Sequence, residues 1–154
     1  MPSLVISHHR QRQQADCLAA CAAMVLDYLR VPIGYDHLVR LLGIRYFGAA
    51  FSNLRNLEAL GVSVAIIRGD VSGLKSHLES GSPVIVALNT VALPYWKEDT
   101  AHAVVVIGIE QDRVFLNDPE FERAPQVVPL DAFLIGWIEQ DFRCAVLSLA
   151  DGVQ

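Results

Sequence analysis

The sequence predicts an α+β fold, with helices in the first part of the chain and antiparallel strands in the second. Between residues 17 and 60, apolar side chains recur three to four residues apart, which is the period of an amphipathic helix. After Gly61 the apolar segments become short and rich in β-branched residues, which is typical of strands. Because the helices precede the strands rather than alternate with them, the pattern favours an α+β fold over a parallel α/β sheet.

Helices are expected before Gly61, and a proline or glycine ends each of them. They are predicted at residues 17–30, 35–42 and 52–60. Asp16 is a suitable N-cap for the first helix, and Pro32 cannot continue it. Gly43 and Gly61 follow the second and third helices, where glycine commonly adopts the left-handed conformation that closes a helix.

The strands after Gly61 are expected to form an antiparallel sheet. They are predicted at residues 63–67, 83–88, 101–109, 113–117 and 143–149, with short helices at 72–79 and 131–137. Glu110, Gln111 and Asp112 have the composition of a hairpin turn between two of these strands. This hairpin fixes which residues of the two strands face each other.

The composition predicts an ordered chain with a sizeable core. Of its 154 residues, 53 % are hydrophobic and 19 % are charged, which excludes intrinsic disorder and predicts a single domain over residues 1–154. The longest apolar runs, such as residues 103–109, are far shorter than the ~20 residues that span a membrane. The net charge is −5 and no basic stripe forms, so nucleic acid is not an expected partner.

The chain has three cysteines, Cys17, Cys21 and Cys144. Their odd number, and a start without the pattern of a secretory signal, predict a reducing, cytoplasmic compartment rather than a disulfide framework. Cys17 and Cys21 lie four residues apart, but no second pair follows at zinc-ligand spacing, so no metal is expected. Cys21 and Cys144 lie among apolar residues and are interpreted as core residues.

Cys17 occupies the first turn of the first predicted helix, directly after its cap. Unpaired backbone amides and the positive end of the helix dipole favour a thiolate there, which is the reactive form of a nucleophilic cysteine. The alternative interpretation is that Cys17 is one more buried cysteine, since cysteine is a common core residue.

A thiolate nucleophile needs a general base, and the base needs a group that orients it. His102 begins the predicted strand 101–109, and the hairpin register places it across from residues 118–120. Asp118 lies in this segment, where a carboxylate would hold the imidazole and stabilise its charged form. Taken singly, His102 could instead face solvent at the end of the sheet, and Asp118 could be a turn residue.

Gln11 lies six residues before Cys17. Its amide and the backbone N–H of Cys17 could together form an oxyanion hole. A polar loop explains Gln11 equally well, because Gln13 and Gln14 are close by. The segment 93–96, Leu-Pro-Tyr-Trp, is either a wall of the cleft or an ordinary surface loop.

The segment 11–21, Gln-Arg-Gln-Gln-Ala-Asp-Cys-Leu-Ala-Ala-Cys, resembles the N-terminal signature of the bacteriocin-processing cysteine peptidases. These are papain-like domains that cut double-glycine leader peptides, usually at the front of peptide-exporting ABC transporters. Residues 102–106, His-Ala-Val-Val-Val, and 115–119, Phe-Leu-Asn-Asp-Pro, resemble the second part of the family pattern. The resemblance extends from residue 11 to about residue 148, nearly the whole chain.

The resemblance implies a papain-like fold, in which an N-terminal helical half packs against a C-terminal antiparallel sheet, and it implies cleavage of peptide bonds. Its catalytic residues are then Cys17 as nucleophile, His102 as general base, Asp118 as orienting carboxylate and Gln11 as oxyanion-hole amide. The implied substrate is a leader or precursor peptide, and the implied partner is a peptide-exporting ABC transporter. Neither a cofactor nor a metal is required.

At one position the chain departs from the family pattern, because Leu18 follows the nucleophile where the family usually has glycine. A side chain there is expected to narrow the cleft beside the thiol, which puts a double-glycine preference in doubt. The same four residues also suit acyl transfer or amide deamidation. A degenerate domain of the same fold that only binds peptides is a further alternative, although the presence of all four residue types argues against it.

Overall fold

The computed structural model describes residues 3–150 and places a six-stranded sheet between two sets of helices. The helices are α1 (Cys17–Tyr28), α2 (Tyr35–Leu41), α3 (Val71–Glu79) and α4 (Leu130–Ile138), and 3-10 segments cover Phe51–Leu60 and Thr90–Ala92. The strands are β1 (Val62–Arg68), β2 (Val84–Asn89), β3 (Ala101–Glu110), β4 (Arg113–Asn117), β5 (Gln126–Pro129) and β6 (Arg143–Leu149). No helix among residues 3–150 is long and apolar enough to cross a membrane.

The strand order is β1-β6-β2-β3-β4-β5, and all neighbouring strands are antiparallel. The last strand in the chain, β6, is therefore inserted between β1 and β2. This order brings the starts of β3 and β6 and the ends of β2 and β4 to the same end of the sheet.

The sheet is covered on both faces, so it has two cores. One face packs against α1, α2 and the segment Phe51–Leu60, and the other packs against α3 and α4. Successive residues of β3 point alternately into the two cores, Val105 and Ile107 into the first and Val104 and Val106 into the second. We call the two faces the α1 face and the α4 face.

Helix α1 is apolar on nearly all sides, which is the pattern of a fully packed helix. Its small residues Ala19 and Ala22 are buried in the core of the α1 face, where the helix contacts β3. The predicted N-cap role of Asp16 is wrong in its mechanism. Asp16 stands at the N-cap position, but its buried side chain makes no hydrogen bond to the helix and accepts one from the Tyr35 hydroxyl at 3.3 Å.

The predicted helices and strands are confirmed to within two residues at each end. Gly43 and Gly61 have φ of 66° and 87°, as expected for glycines that follow a helix. Two elements differ from the prediction. The third helix is a 3-10 helix, and the edge strand β5 was not predicted because its two valines lie beside Pro125 and Pro129 and resemble a loop.

The hairpin between β3 and β4 has the predicted turn, with Gln111 at a φ of 57°. Glu110 pairs with Arg113, and Val105 pairs with Asn117 after a bulge in β3. Continued beyond Asn117, this register places residue 120 across from residue 102, within the predicted range. The hairpin therefore brings the segment after β4 beside the start of β3.

Candidate active site

A cleft of about 510 Å³ opens at the end of the sheet where β3 and β6 begin. Cys17, His102 and Gln11 line this cleft, and Asp118 is fully buried behind His102. Tyr46 and Phe47, on the loop after α2, are exposed at its rim. The structure therefore brings all four predicted site residues to one place, although they come from two segments of the chain, residues 11–17 and 102–118.

Cys17 is the first residue of α1 and is partly exposed in the cleft. The other two cysteines are buried, as predicted. Burial, and after it the neighbouring Cys17 and Asp118, raise the pKa of the Cys21 thiol well above its ordinary value. Burial, with a smaller contribution from Asp70, raises the pKa of the Cys144 thiol to about 11. Cys17 is thus the cysteine that can meet a substrate.

His102 and Asp118 form a buried pair behind the cleft. His102 Nε2 donates a hydrogen bond of 2.7 Å to Asp118 Oδ1, and the exposed fractions of the two side chains are 5 % and 0 %. Cys17 lies near this ring, since it contributes to the raised pKa of His102, and both side chains line the cleft. The ring therefore lies near both the thiol and the carboxylate.

The Asp118 carboxylate accepts four hydrogen bonds, two at each oxygen. Oδ1 accepts from His102 and from the backbone N–H of Glu120 at 3.0 Å. Oδ2 accepts from the Tyr95 hydroxyl at 2.7 Å and from the Trp96 indole N–H at 2.8 Å. A carboxylate that accepts several hydrogen bonds keeps its charge even when it is buried.

The pKa values of this pair follow from these contacts. Burial lowers the pKa of His102, but its hydrogen bonds to Asp118 and Cys17 and the charges of the same two groups outweigh burial and raise it from 6.5 to about 9. Burial raises the pKa of Asp118, but the hydrogen bond and charge of His102, with the donors from Trp96 and Glu120, hold it below its ordinary value. The pair is therefore charged, carboxylate and imidazolium, at neutral pH.

Tyr95 and Trp96 were not assigned to Asp118 from the sequence. Trp96 lines the cleft and packs edge-on against the His102 ring, with 4.8 Å between the ring centroids. Burial, and then the charge of Asp118, raise the pKa of Tyr95, so its hydroxyl remains a donor. Of segment 93–96, Trp96 forms part of the cleft lining, as the cleft-wall interpretation predicts for this residue. Two consecutive aromatic residues with hydrogen-bond donors, shortly before His102, were the sequence feature that could have indicated these contacts to Asp118.

Gln11 lines the cleft, but its side chain bonds to its own loop. The amide Nε2 donates to the carbonyl oxygens of Gln13 and Gln14, both at 3.0 Å. Its Oε1 is buried and has no hydrogen-bond partner among the described residues. The backbone N–H of Gln11 donates to the carbonyl of Pro119 at 2.9 Å, which ties this segment to the loop that carries Asp118.

Leu18 also lines the cleft, yet it is only 4 % exposed and packs in the core of the α1 face. Most of its side chain is therefore directed into the core rather than into the space beside the thiol. Within residues 3–150, no group of three or more His, Cys, Asp or Glu side chains could hold a metal ion.

Residues 6–140 match a family model, that of the peptidase C39 family. The chain belongs to the peptidase C39 family. The resemblance seen in the two motifs is thereby confirmed, and this C39 peptidase is a hydrolase of the cysteine type. No curated protein matches the chain.

Solved structures similar to this C39 peptidase confirm its fold class. A double-glycine-motif protease from an AMS/PCAT transporter, solved with its leader peptide, is 20 % identical, with 96 % of this chain and 94 % of that chain covered and a TM-score of 0.77. A C39-like peptidase from Bacillus anthracis is 17 % identical, with coverage of 96 % and 98 % and a TM-score of 0.78. The peptidase domain of Streptococcus ComA, a bifunctional ABC transporter of a quorum-sensing pathway, is 18 % identical, with coverage of 92 % and 97 % and a TM-score of 0.76.

Proposed function

We propose that this C39 peptidase cleaves peptide bonds with Cys17 as nucleophile, His102 as general base and Asp118 as the carboxylate that orients the imidazole. The observation that carries this proposal is that His102 is hydrogen-bonded to Asp118 and lines the same cleft as Cys17. Because Nε2 is bound to Asp118, the nitrogen left for the thiol is Nδ1. Nucleophile, base and orienting group are then in the order that nucleophilic catalysis requires.

In the proposed reaction, His102 already holds the proton of the Cys17 thiol as imidazolium, and the thiolate attacks the carbonyl carbon of the peptide bond. The imidazolium next protonates the leaving nitrogen, the C–N bond breaks, and a thioester remains on Cys17. Water then attacks the thioester while His102 takes one of its protons, and the C–S bond breaks to release the acid and restore the thiolate and imidazolium. The fixed charge of Asp118 stabilises the imidazolium at each proton transfer.

We propose that the backbone N–H of Cys17 and the Gln11 amide hold the negative oxygen of the tetrahedral intermediate. Gln11 lies in the cleft, which supports this role, but its amide donates to two carbonyls of its own loop. Gln11 must therefore exchange one of these carbonyls for the oxyanion. Hydrogen bonds of this kind act mainly in the transition state, where the oxygen carries its charge.

We propose that the substrate is a leader or precursor peptide and that the partner is a peptide-exporting ABC transporter. We also propose that the chain acts in the cytoplasm and that residues 1–154 form a single domain. The last proposal extends to residues 1–2 and 151–154, which lie outside the described residues. Support for the substrate comes from the family and from a similar protease that was solved with its leader peptide. The exposed Tyr46 and Phe47 at the rim also offer apolar contacts to a peptide.

The test is a panel of synthetic peptides incubated with the purified chain and analysed by mass spectrometry. Two peptides as products support hydrolysis. A conjugate with an added amine would indicate acyl transfer, and release of ammonia would indicate deamidation. Cys17→Ala should abolish turnover, whereas Cys144→Ala, a matched loss of a buried thiol on the α4 face, should retain it. Retained turnover in Cys17→Ala would exclude Cys17 as the nucleophile.

A further inference from the structure

The cleft continues beyond the reactive residues to Arg143, the first residue of β6. Successive side chains of a strand point to opposite faces of the sheet. Because Cys144 packs on the α4 face, the side chain of Arg143 points to the α1 face and into the cleft. In the sheet, β6 is separated from β3 by β2 alone. Two strand spacings of about 4.8 Å put Arg143 roughly 10 Å from the start of β3, where His102 lies.

Arg143 is held in place without being neutralised. Its Nη2 donates to Gln140 Oε1 at 3.1 Å and its Nε donates to the Gln140 carbonyl at 3.4 Å. The guanidinium lies over the ring of Phe51, with 5.6 Å to the ring centroid. Among residues 3–150, no carboxylate lies within the 4.0 Å ion-pair distance of Arg143.

Two of its N–H groups are therefore bound, and a guanidinium carries five. The remaining donors belong to a partly buried cation at the wall of an open cleft. Arg68 on β1, which lies opposite Arg143 in the strand register, differs in this respect because it forms an ion pair with Asp141 at 3.2 Å. A fixed and unneutralised guanidinium is suited to bind a carboxylate.

The opposite side of the cleft carries the opposite charge. Glu98, before β3, and Glu120, after β4, line it on the side of His102. Between these carboxylates and Arg143, the floor of the cleft on β2 and β3 consists of the small residues Ala87 and Ala103, which pair with each other. A peptide main chain can lie there, with its charged groups directed to one end of the cleft.

We propose that Arg143 binds a carboxylate of the substrate peptide, located about three residues from the bond that is cut. The spacing takes the start of β3, where His102 lies, as the position of the cut bond. An extended chain advances about 3.3 Å per residue, so three residues cover the roughly 10 Å from there to Arg143. This inference rests on the proposed function, since it assigns part of the substrate specificity of the same cleft. The carboxylate belongs either to an internal Asp or Glu or to the C-terminus of the peptide.

The test measures binding of fluorescent peptides to the Cys17→Ala protein by anisotropy, so it does not depend on turnover. Peptides carry Glu or Gln at one position at a time, and each is made with a free or an amidated C-terminus. We expect one position, or the free C-terminus, to bind at least about tenfold more tightly than its neutral counterpart. The first result identifies a side chain and the second the C-terminus. Equal binding of all pairs would overturn the proposal.

Substitutions then locate the effect at Arg143. In the Cys17→Ala background, Arg143→Gln should remove the preference for the carboxylate, Arg143→Lys should retain part of it, and Arg143→Glu should favour Lys at the same position. The matched control is Arg68→Gln, which removes the neighbouring and already paired arginine and should leave the preference unchanged. Thermal melts of each variant identify any that fails to fold, and Arg143→Lys keeps the test decisive in that case. A carboxylate preference that survives in folded Arg143→Gln or is fully lost in folded Arg143→Lys contradicts a charge-specific role.

Cleavage assays separate this inference from the proposed function. With Cys17 restored, Arg143→Gln should lower the ratio of kcat/KM between acidic and neutral peptides, and Arg68→Gln should leave this ratio unchanged. If the wild-type chain cuts no peptide, the proposed function fails, whereas the binding preference of the Cys17→Ala protein still decides the role of Arg143.

Discussion

On the sheet side of the cleft, Asp118 is fully buried and accepts four hydrogen bonds that leave it a single orientation. On the helix side, the Gln11 amide nitrogen donates hydrogen bonds to two carbonyls of its own loop, and its buried Oε1 has no hydrogen-bond partner among residues 3–150. The group proposed to orient the base is thus fixed before a substrate arrives, whereas the proposed oxyanion donor is bound to other partners.

This difference predicts how the two sides respond to substitution. A charged group that is already fixed by hydrogen bonds needs no rearrangement when charge develops nearby. Removing it therefore affects the free enzyme as well as the transition state, and changes both the pH dependence and the stability. A donor that must first leave other partners contributes only when the oxyanion is present to replace them. Changes at Asp118 should therefore alter pH profiles, and changes at Gln11 should alter kcat alone.

The largest effect is expected for His102→Ala, which removes the proposed base from the sheet side. Turnover of a cleavable peptide should fall by roughly 10⁴–10⁶-fold, as in other catalytic triads that lose their histidine. Steady-state kinetics measures this loss, with His77→Ala on α3 as a control. If His102→Ala keeps more than a tenth of the wild-type kcat, another group acts as the base.

Asp118→Asn should lower kcat by roughly 10²–10⁴-fold. Both carboxylate oxygens accept two hydrogen bonds, so an amide nitrogen at either position faces two donors and leaves them without an acceptor. The measurement is again steady-state kinetics, with Asp112→Asn in the exposed hairpin turn as the matched control. Full activity in Asp118→Asn would mean that another group, such as Asn117, orients the imidazole.

The pH dependence of stability should report the same pair. The pKa of His102 is raised to about 9 in the folded chain, so its contribution is complete below pH 6.5 and is lost as the pH rises through 9. The pKa of Asp118 is lowered, so its contribution is present above pH 3.8 and is lost as the pH falls through the folded value. Urea unfolding between pH 6 and 10 should show the alkaline loss of unfolding free energy.

In Asp118→Asn this alkaline loss should be smaller, because the charge that raises the pKa of His102 is removed. The alkaline limb of kcat/KM, near pH 9 in the wild type, should also move to lower pH. An unmoved limb would show that it titrates a group other than His102.

Gln11→Ala tests the helix side of the cleft. We expect kcat to fall by roughly 10²–10³-fold with little change in KM, because the amide acts on the oxyanion and not on the bound peptide. Gln11→Glu should be at least as damaging, since it replaces a donor with a negative charge. Gln13→Ala, which keeps the carbonyl that accepts from Gln11, is the matched control. A variant that changes only KM would remove the oxyanion role.

The smallest effects are expected for Tyr95→Phe and Trp96→Phe, which each remove one donor to Asp118 Oδ2. Each should cost about 1 kcal/mol of unfolding free energy and about fivefold in kcat, because the bond to His102 remains. With fewer donors the carboxylate attracts the imidazolium proton more strongly. The alkaline limb should therefore move to higher pH, opposite to its shift in Asp118→Asn, and a shift in the same direction would contradict the assignment of these donors.

Local patterns in the sequence were sufficient to predict much of the fold and the contact between His102 and Asp118. Helix α1 and its first residue Cys17 follow from apolar spacing, and the contact between His102 and Asp118 follows from one hairpin. Both depend on residues that are close in the chain, so periodicity and turn composition determine them.

Tertiary structure decided the rest, because it depends on segments that are distant in the chain. The insertion of β6 between β1 and β2 places Arg143 in the cleft, and no local pattern encodes that strand order. The two aromatic donors reach Asp118 because the loop before β3 folds back over the end of β4. Gln11 shows the opposite case, since its residue type suggested an oxyanion donor while the loop around it competes for the same amide. Residue type and spacing thus determined which groups can react, and the packing of remote segments determined which hydrogen bonds those groups make.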